Sequence, residues 1–248
     1  MSYDKLFEEE DSGLNYRSIK SYSDFVTALL DTGFSMGGGS SEGIFSLIPW
    51  NWDEQPPYDT PVQWHTGDPD TDPWEWRMRV LDERNDIAYA KVFFKKSGYI
   101  TKEWIPYFLA VRRGKTTFEE EYANGIISNY AKRIYSTIIE HGTLPLHAIK
   151  QLAGFGKEEK SRFERALVEL QMKMYLTMCG RQQKISQRGT EYGWSSTVFC
   201  TTEKFWGEEI FETSAKIEED TAIQKISERV CILNPKAEQK KILRFIKG

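Results

Sequence analysis

The chain has 248 residues, 40% hydrophobic and 28% charged, with three cysteines and a formal net charge of −4. The hydrophobic share is ordinary for a globular protein, and no apolar run approaches the ~20 residues of a membrane span. Cys179, Cys200 and Cys231 show neither CxxC spacing nor the density of a disulfide frame; with an acidic N-terminal stretch in place of an apolar signal, this predicts a cytoplasmic protein with reduced thiols and no membrane partner.

The charge is unevenly spread. Residues 1–80 carry 5 basic and 15 acidic side chains, residues 81–200 carry 19 and 13, and residues 201–248 carry 9 of each. A cationic middle suits a polyanionic partner, and it equally suits docking of the acidic N-terminal third.

Residues 1–20 show little pattern. Ser21 or Ser23 is positioned to cap a helix over 24–31 that buries Phe25, Ala28 and Leu29. Gly37-Gly38-Gly39 follows without the Lys-Ser/Thr of a phosphate loop, and reads as a mobile turn. Residues 44–50 form an extended apolar run. Five of the eight tryptophans then fall between 50 and 76, among acidic residues and prolines that hold the stretch irregular. Asp72, Pro73 and Glu75 predict a helix start with a capping box, and place Trp74, Met78 and Leu81 on one face.

Residues 87–94 alternate as a strand, Lys95 to Gly98 turn the chain, and Tyr99 begins a second strand. Thr101 is expected to cap a helix ending at Arg112-Arg113-Gly114, and Thr117 with Glu120 opens another. Ile127, Ala131, Ile134, Tyr135 and Ile138 recur at helical spacing, and Gly142 suits a helix C-cap. Thr143 is expected to cap a shorter helix with Leu146, Ile149 and Ala153 inward. A third helix over 157–174 buries Phe163, Ala166, Leu167, Leu170 and Met174, leaving Ser161, Arg162 and Arg165 on its polar face. Glu158 with Arg162, and Glu169 with Lys173, read as i,i+4 pairs. Short extended runs at 175–178 and 197–200 flank a polar loop with Arg181, Lys184 and Arg188. Three helices and a two-stranded ribbon are the order of a winged helix-turn-helix, whose third helix would enter a DNA major groove and whose loop would lie over phosphates. Helices over 202–212, 217–230 and 235–246 complete the chain.

With three histidines in all, a His-rich metal site is excluded, and no cofactor fingerprint appears.

The order Trp64-His65-Thr66-Gly67-Asp68, then Asp72-Pro73-Trp74-Glu75-Trp76-Arg77, then Phe93 to Lys96 with Gly98-Tyr99-Ile100, then Arg112-Arg113 and the helical trio through Gln171, resembles a bacterial family related to the AlkZ/YcaQ DNA glycosylases. The resemblance spans about residues 60–210. It implies a winged-helix protein of DNA-repair ancestry with DNA as partner. Those glycosylases place Gln-aromatic-Gln or Gln-aromatic-Asp at the reacting sugar; the nearest match here is Gln63-Trp64-His65, which departs at the last position. The chemistry that the resemblance implies needs a polar group to steady a water, aromatic faces for an extruded base, and cations for phosphates. Gln63, His65, Asp68 and Asp72 can supply the first, Trp64, Trp74 and Trp76 the second, and Arg77, Arg112 and Arg113 the third. Each also has a plain structural use, as cap, core or ion pair. The expected architecture is α+β and mainly helical: an aromatic- and acid-rich part over 1–115, a winged helix over 116–202, and C-terminal helices over 203–248 on the same core. The competing reading is a non-enzymatic regulator or protein-interaction module.

Overall fold

The computed structural model describes residues 19–185 and 191–248; Arg188 and residues 1–18 lie outside them. The architecture is α+β, about half helical, with two three-stranded sheets among the described residues. Helix α1 (Tyr22–Thr32) is capped by Ser21, whose side chain accepts the Asp24 amide, and Gly33 closes it with φ 88°. Strand β1 (Phe34–Met36) joins β2 (Ile87–Phe93) and β3 (Lys96–Thr101) in the antiparallel order β1-β3-β2.

The β2–β3 hairpin departs from expectation. Phe93 pairs with Lys96, so Phe94 and Lys95 alone make the turn, with φ 51° and 64°. Positive φ at both central residues marks a type I′ turn, the one whose twist matches the strands. Gly98 lies inside β3, where a Cβ would come within 2.3 Å of the Phe93 ring. The apolar run 44–50 is a second correction. It forms no strand, yet Ile44, Phe45, Leu47, Ile48 and Trp50 are buried. Its backbone is met piecemeal instead: Met36 donates to the Phe45 carbonyl, the Leu47 amide to Ser35 Oγ, and Gly39 to the Ile48 carbonyl. The triple glycine is part of this packing, since a Cβ on Gly38 (φ 101°) would meet the Trp64 ring at 2.6 Å.

Helix α2 (Pro73–Glu83) starts at Asp72 as expected and buries Met78 and Leu81 of the expected face, but not Trp74. Trp76, Met78, Val80 and Leu81 are inside, and Trp74 is 41% exposed. Trp76 stacks on Phe25 at 4.9 Å. Helix α3 (Ile105–Arg112) has Trp104 as its N-cap with no side-chain capping bond; Thr101 ends β3. Thr117 and Glu120 form the full capping box of α4 (Phe118–Ala123).

Helix α5 (Asn129–His141) has Ser128 as N-cap and Gly142 as C-cap. Thr143 does not cap the next helix. Leu144–Pro145 is instead a short strand, β4, paired with Phe199 and Val198, and Pro145 precedes α6 (Leu146–Leu152). A 3-10 turn (Lys157–Glu159) leads into α7 (Lys160–Met172), which buries Phe163, Ala166, Leu167 and Leu170. The strands β5 (Leu176–Ile185) and β6 (Glu191–Thr201) are far longer than their apolar runs suggested, and complete a sheet of order β4-β6-β5.

Gly207, at φ 78°, breaks the expected 202–212 helix into α8 (Thr202–Trp206) and α9 (Glu208–Ala215). The chain ends in α10 (Glu219–Leu233) and α11 (Gln239–Lys247). Asn234 uses its side-chain amide on the Gly43 and Ile44 carbonyls, so it ties α10 to the apolar loop. Phe245 of α11 stacks on Phe93 at 4.0 Å and meets Phe34 and Phe108. The C-terminal helices therefore pack on the first sheet and α3. No helix among the described residues is long and apolar enough to cross a membrane.

Candidate functional site

The residues singled out in the sequence fall into three places. The first is the loop from Gln63 to Asp72 with the start of α2. Asp72 is 1% exposed. Its Oδ1 accepts the His65 and Trp74 amides at 3.0 and 2.8 Å, and its Oδ2 accepts the Gly67 amide at 2.9 Å. A carboxylate holding three backbone N–H groups folds the loop and starts the helix; three of its roughly four acceptor sites are committed. Asp68 is exposed, and its pKa is held below the usual carboxylate range, first by the Asp70 amide and then by Thr71. That reverses the raised value which a desolvated, water-activating carboxylate would have.

His65 is exposed and sits at φ 60°, a left-handed conformation for a residue with a Cβ. Its ring lies 4.8 Å from Trp74, 5.6 Å from Trp52 and 6.4 Å from Trp64, centroid to centroid. Trp52 is 63% exposed, so this is a solvent-facing aromatic cluster. One face of Trp74 is covered by the Arg77 guanidinium at 3.3 Å, and Trp64 is half-buried with its indole N–H on the Trp50 carbonyl. Trp76 is fully buried and is corrected from stacking platform to core, because its ring fills the space against Phe25.

The second place is internal. Arg112 is 6% exposed. Its Nε donates to the Ile246 carbonyl, Nη1 to those of Val92 and Met172, and Nη2 to that of Phe245, at 2.6–2.9 Å. The guanidinium thus collects the C-terminal carbonyls of α7 and α11, where a cation complements the helix dipoles. Burial pulls its pKa down to about 9, so it stays charged at neutral pH. It is corrected from a surface phosphate contact to a tie inside the fold. Arg113 pairs with Glu203 at 2.6 Å and lies over the Tyr175 ring at 4.3 Å. Arg181 lies within 3.7 Å of Glu75 and 3.5 Å of Asp82, which joins α2 to β5. Both cations are already paired. Lys184 stands opposite Tyr192 in the β5–β6 ladder.

The third place is the outer face of α7. Ser161, Arg162 and Arg165 are exposed. Arg162 donates to the Tyr130 hydroxyl, a neutral partner, and not to Glu158. Glu169 and Lys173 do not pair with each other either: Glu169 accepts from Ser128, and Lys173 at the end of α7 meets Glu121 of α4 at 3.1 Å. Beside this face lies a groove of about 660 Å³, lined by Ser161, Arg165, Met172, Lys95, Lys247 and the edge of Arg112, among others. None of residues 63–77 lines it. Lys95 and Lys247 had no signal in the sequence that linked them to α7, since they come from a hairpin turn and the last helix. No group of three or more His, Cys, Asp and Glu among the described residues is placed to hold a metal ion.

The fold and these sites define an α+β protein with a cationic helix face and groove, and with a separate exposed aromatic cluster. A family model described as AlkZ related matches residues 19–247, and the chain belongs to that family. The membership suggests a DNA-repair-glycosylase-like ancestry. No curated protein and no solved structure matches the chain.

Proposed function

We propose that this chain is a winged-helix DNA-binding protein in which α5, α6 and α7 are the helical trio, β5 and β6 the wing, and α7 the helix presented to DNA. The unit would span residues 116–202, with the aromatic-rich part before it and the C-terminal helices after it. The observation that carries the reading is the outer face of α7. Ser161, Arg162 and Arg165 are exposed there, while the hydroxyl of Tyr130 and the Ser161 carbonyl, both uncharged, are what the two arginines meet. Their charge is left for phosphates, whereas Arg113 and Arg181 are neutralised within the protein. Duplex binding should weaken steeply with salt as counterions are released. Arg162→Ala with Arg165→Ala should lower affinity without lowering the melting temperature, and unchanged affinity would remove α7 as the DNA-facing helix.

A second reading, release of a damaged base, draws on one observation. The motif-like Gln63-Trp64-His65 carries its histidine into the exposed cluster with Trp52 and Trp74, and such aromatic faces are what an extruded base stacks on. The three committed acceptor sites of Asp72 and the depressed pKa of Asp68 speak for binding rather than base release. Incubating the protein with alkylated and crosslinked duplexes decides between them. Release that is lost in His65→Ala with Asp68→Asn would establish the enzymatic reading; no release from any such duplex leaves DNA binding alone.

A further inference from the structure

We propose that the groove between α7, the Phe94-Lys95 turn and the end of α11 binds the sugar-phosphate backbone of a nucleic-acid strand, with Lys95 and Lys247 as phosphate contacts. The proposal rests on the DNA-binding reading and extends its surface beyond the three-helix unit. Its first support is charge. The lining holds five basic residues, Lys95, Arg112, Arg165, Lys173 and Lys247, against two acidic ones, Glu164 and Glu169; Lys173 is paired with Glu121 outside the lining, which leaves four cations against two carboxylates. Glu169 accepts from the amide and hydroxyl of Ser128, neutral donors that leave its charge in place. Arg112 reaches only carbonyl oxygens, so its positive charge is not cancelled; of its five N–H donors four are used, and one on Nη2 has no acceptor among the described residues. Lys247 has only a solvent-exposed partner, Glu219 at 3.6 Å, an ion pair that water and salt weaken. Lys95 has no ion pair among the described residues.

The second support is geometry. Lys95 occupies a turn position at φ 64° that favours glycine or asparagine. Its amide is fixed on Met172 Sδ at 3.3 Å, and the preceding Phe94 is packed against Phe245. The hairpin tip is therefore held against α7, and a lysine stands where an uncharged residue would turn the chain more easily. The third support is what the groove lacks. Its apolar lining is Val168 and Met172, with no aromatic ring. Base-stacking surfaces for single strands are built from aromatics, so the part of a strand that this groove recognises is its phosphates.

The test uses the full chain with a fluorescent oligothymidine strand and a duplex of equal length. The variant is Lys95→Asn with Lys247→Gln, because asparagine tolerates the left-handed turn. It should weaken binding of both probes. The slope of log affinity against log salt should become shallower by roughly 1.4–1.8, at 0.7–0.9 for each lost phosphate contact. Lys216→Gln, which neutralises one lysine at an exposed residue outside the groove, should change neither affinity nor slope. Lys247→Glu alone, at an exposed helix end, gives the same direction should the double variant fold poorly. Wild-type affinity and slope in both groove variants, while Arg162→Ala, at a residue outside the groove lining, binds weakly, would overturn the groove and keep the DNA reading. Loss of the strand to an equal concentration of inorganic pyrophosphate at fixed ionic strength would assign the groove to a free phosphate instead. A wild-type protein that binds neither probe would overturn both.

Discussion

The Glu169 carboxylate on α7 takes two hydrogen bonds from Ser128, at 2.9 Å from its amide and 2.7 Å from its hydroxyl. Ser128 Oγ in turn accepts the Ala131 amide at 3.1 Å, as the N-cap of α5. One carboxylate thereby fixes a helix start to the neighbouring helix. Glu169→Ala should destabilise the protein by about 2–3 kcal/mol, since hydrogen bonds to a charged group are worth about 1.5–3 kcal/mol. Glu169→Gln should cost less, because an amide oxygen still accepts one of the two. Urea unfolding measures both, and two variants as stable as wild type would mean that apolar packing alone holds α5 to α7.

Leu167 is 7% exposed on the inner face of α7, one turn from Phe163. Leu167→Ala should cost about 2–5 kcal/mol, the lost transfer energy plus that of the cavity left behind. A melting temperature unmoved by the change would show that this face of α7 is not packed.

Arg112→Met should be among the most damaging single changes. It fills much of the same space but leaves four carbonyl oxygens, those of Val92, Met172, Phe245 and Ile246, without their donor. An unsatisfied buried acceptor costs about 1–3 kcal/mol, so a loss above ~3 kcal/mol is expected. Arg112→Lys should recover only part of it, having three donors and no planar fork. Full recovery by lysine would show that charge at this point matters and the fork does not.

Stability should fall at alkaline pH before general unfolding. Burial, and next the nearby Glu83, push the Tyr22 phenol to about 12; burial, and next Glu203, do the same for Tyr135. Both values lie above the ordinary 10 of the unfolded chain. Their stabilising contribution is therefore complete below pH 10 and fades as pH rises towards 12. Melting temperatures recorded between pH 9 and 12 should drop, and Tyr22→Phe should flatten the drop. An identical decline in Tyr22→Phe would show that other groups set the alkaline limit.

Much of the helical framework was legible from local signals. Ser21, Asp72 with Pro73, the Thr117–Glu120 box and Gly142 all act at the helix ends where their chemistry placed them. The inner faces of α5 and α7 followed from their 3.6-residue period. Such signals work because a cap or an apolar stripe is satisfied within a few residues of itself. The resemblance to the AlkZ-related family, which rested on Trp, Pro and Gly motifs, is matched over residues 19–247.

Tertiary structure alone decided the rest. Whether Trp74 or Trp76 faces inward depends on Phe25, which lies about fifty positions away and stacks on Trp76. Whether Arg112 meets solvent depends on the carbonyl ends of α7 and α11, which converge on it from 60 and more than 130 positions along the chain. Glu169 could be read as the i,i+4 partner of Lys173, but each found a better-placed partner on another element, Ser128 and Glu121. The groove itself combines residues from β2–β3, α7 and α11. Local sequence sets which groups need a partner; only the packed chain sets which partner is near enough, because a hydrogen bond or ring contact is gained over a few ångströms and carries no information about separation along the chain.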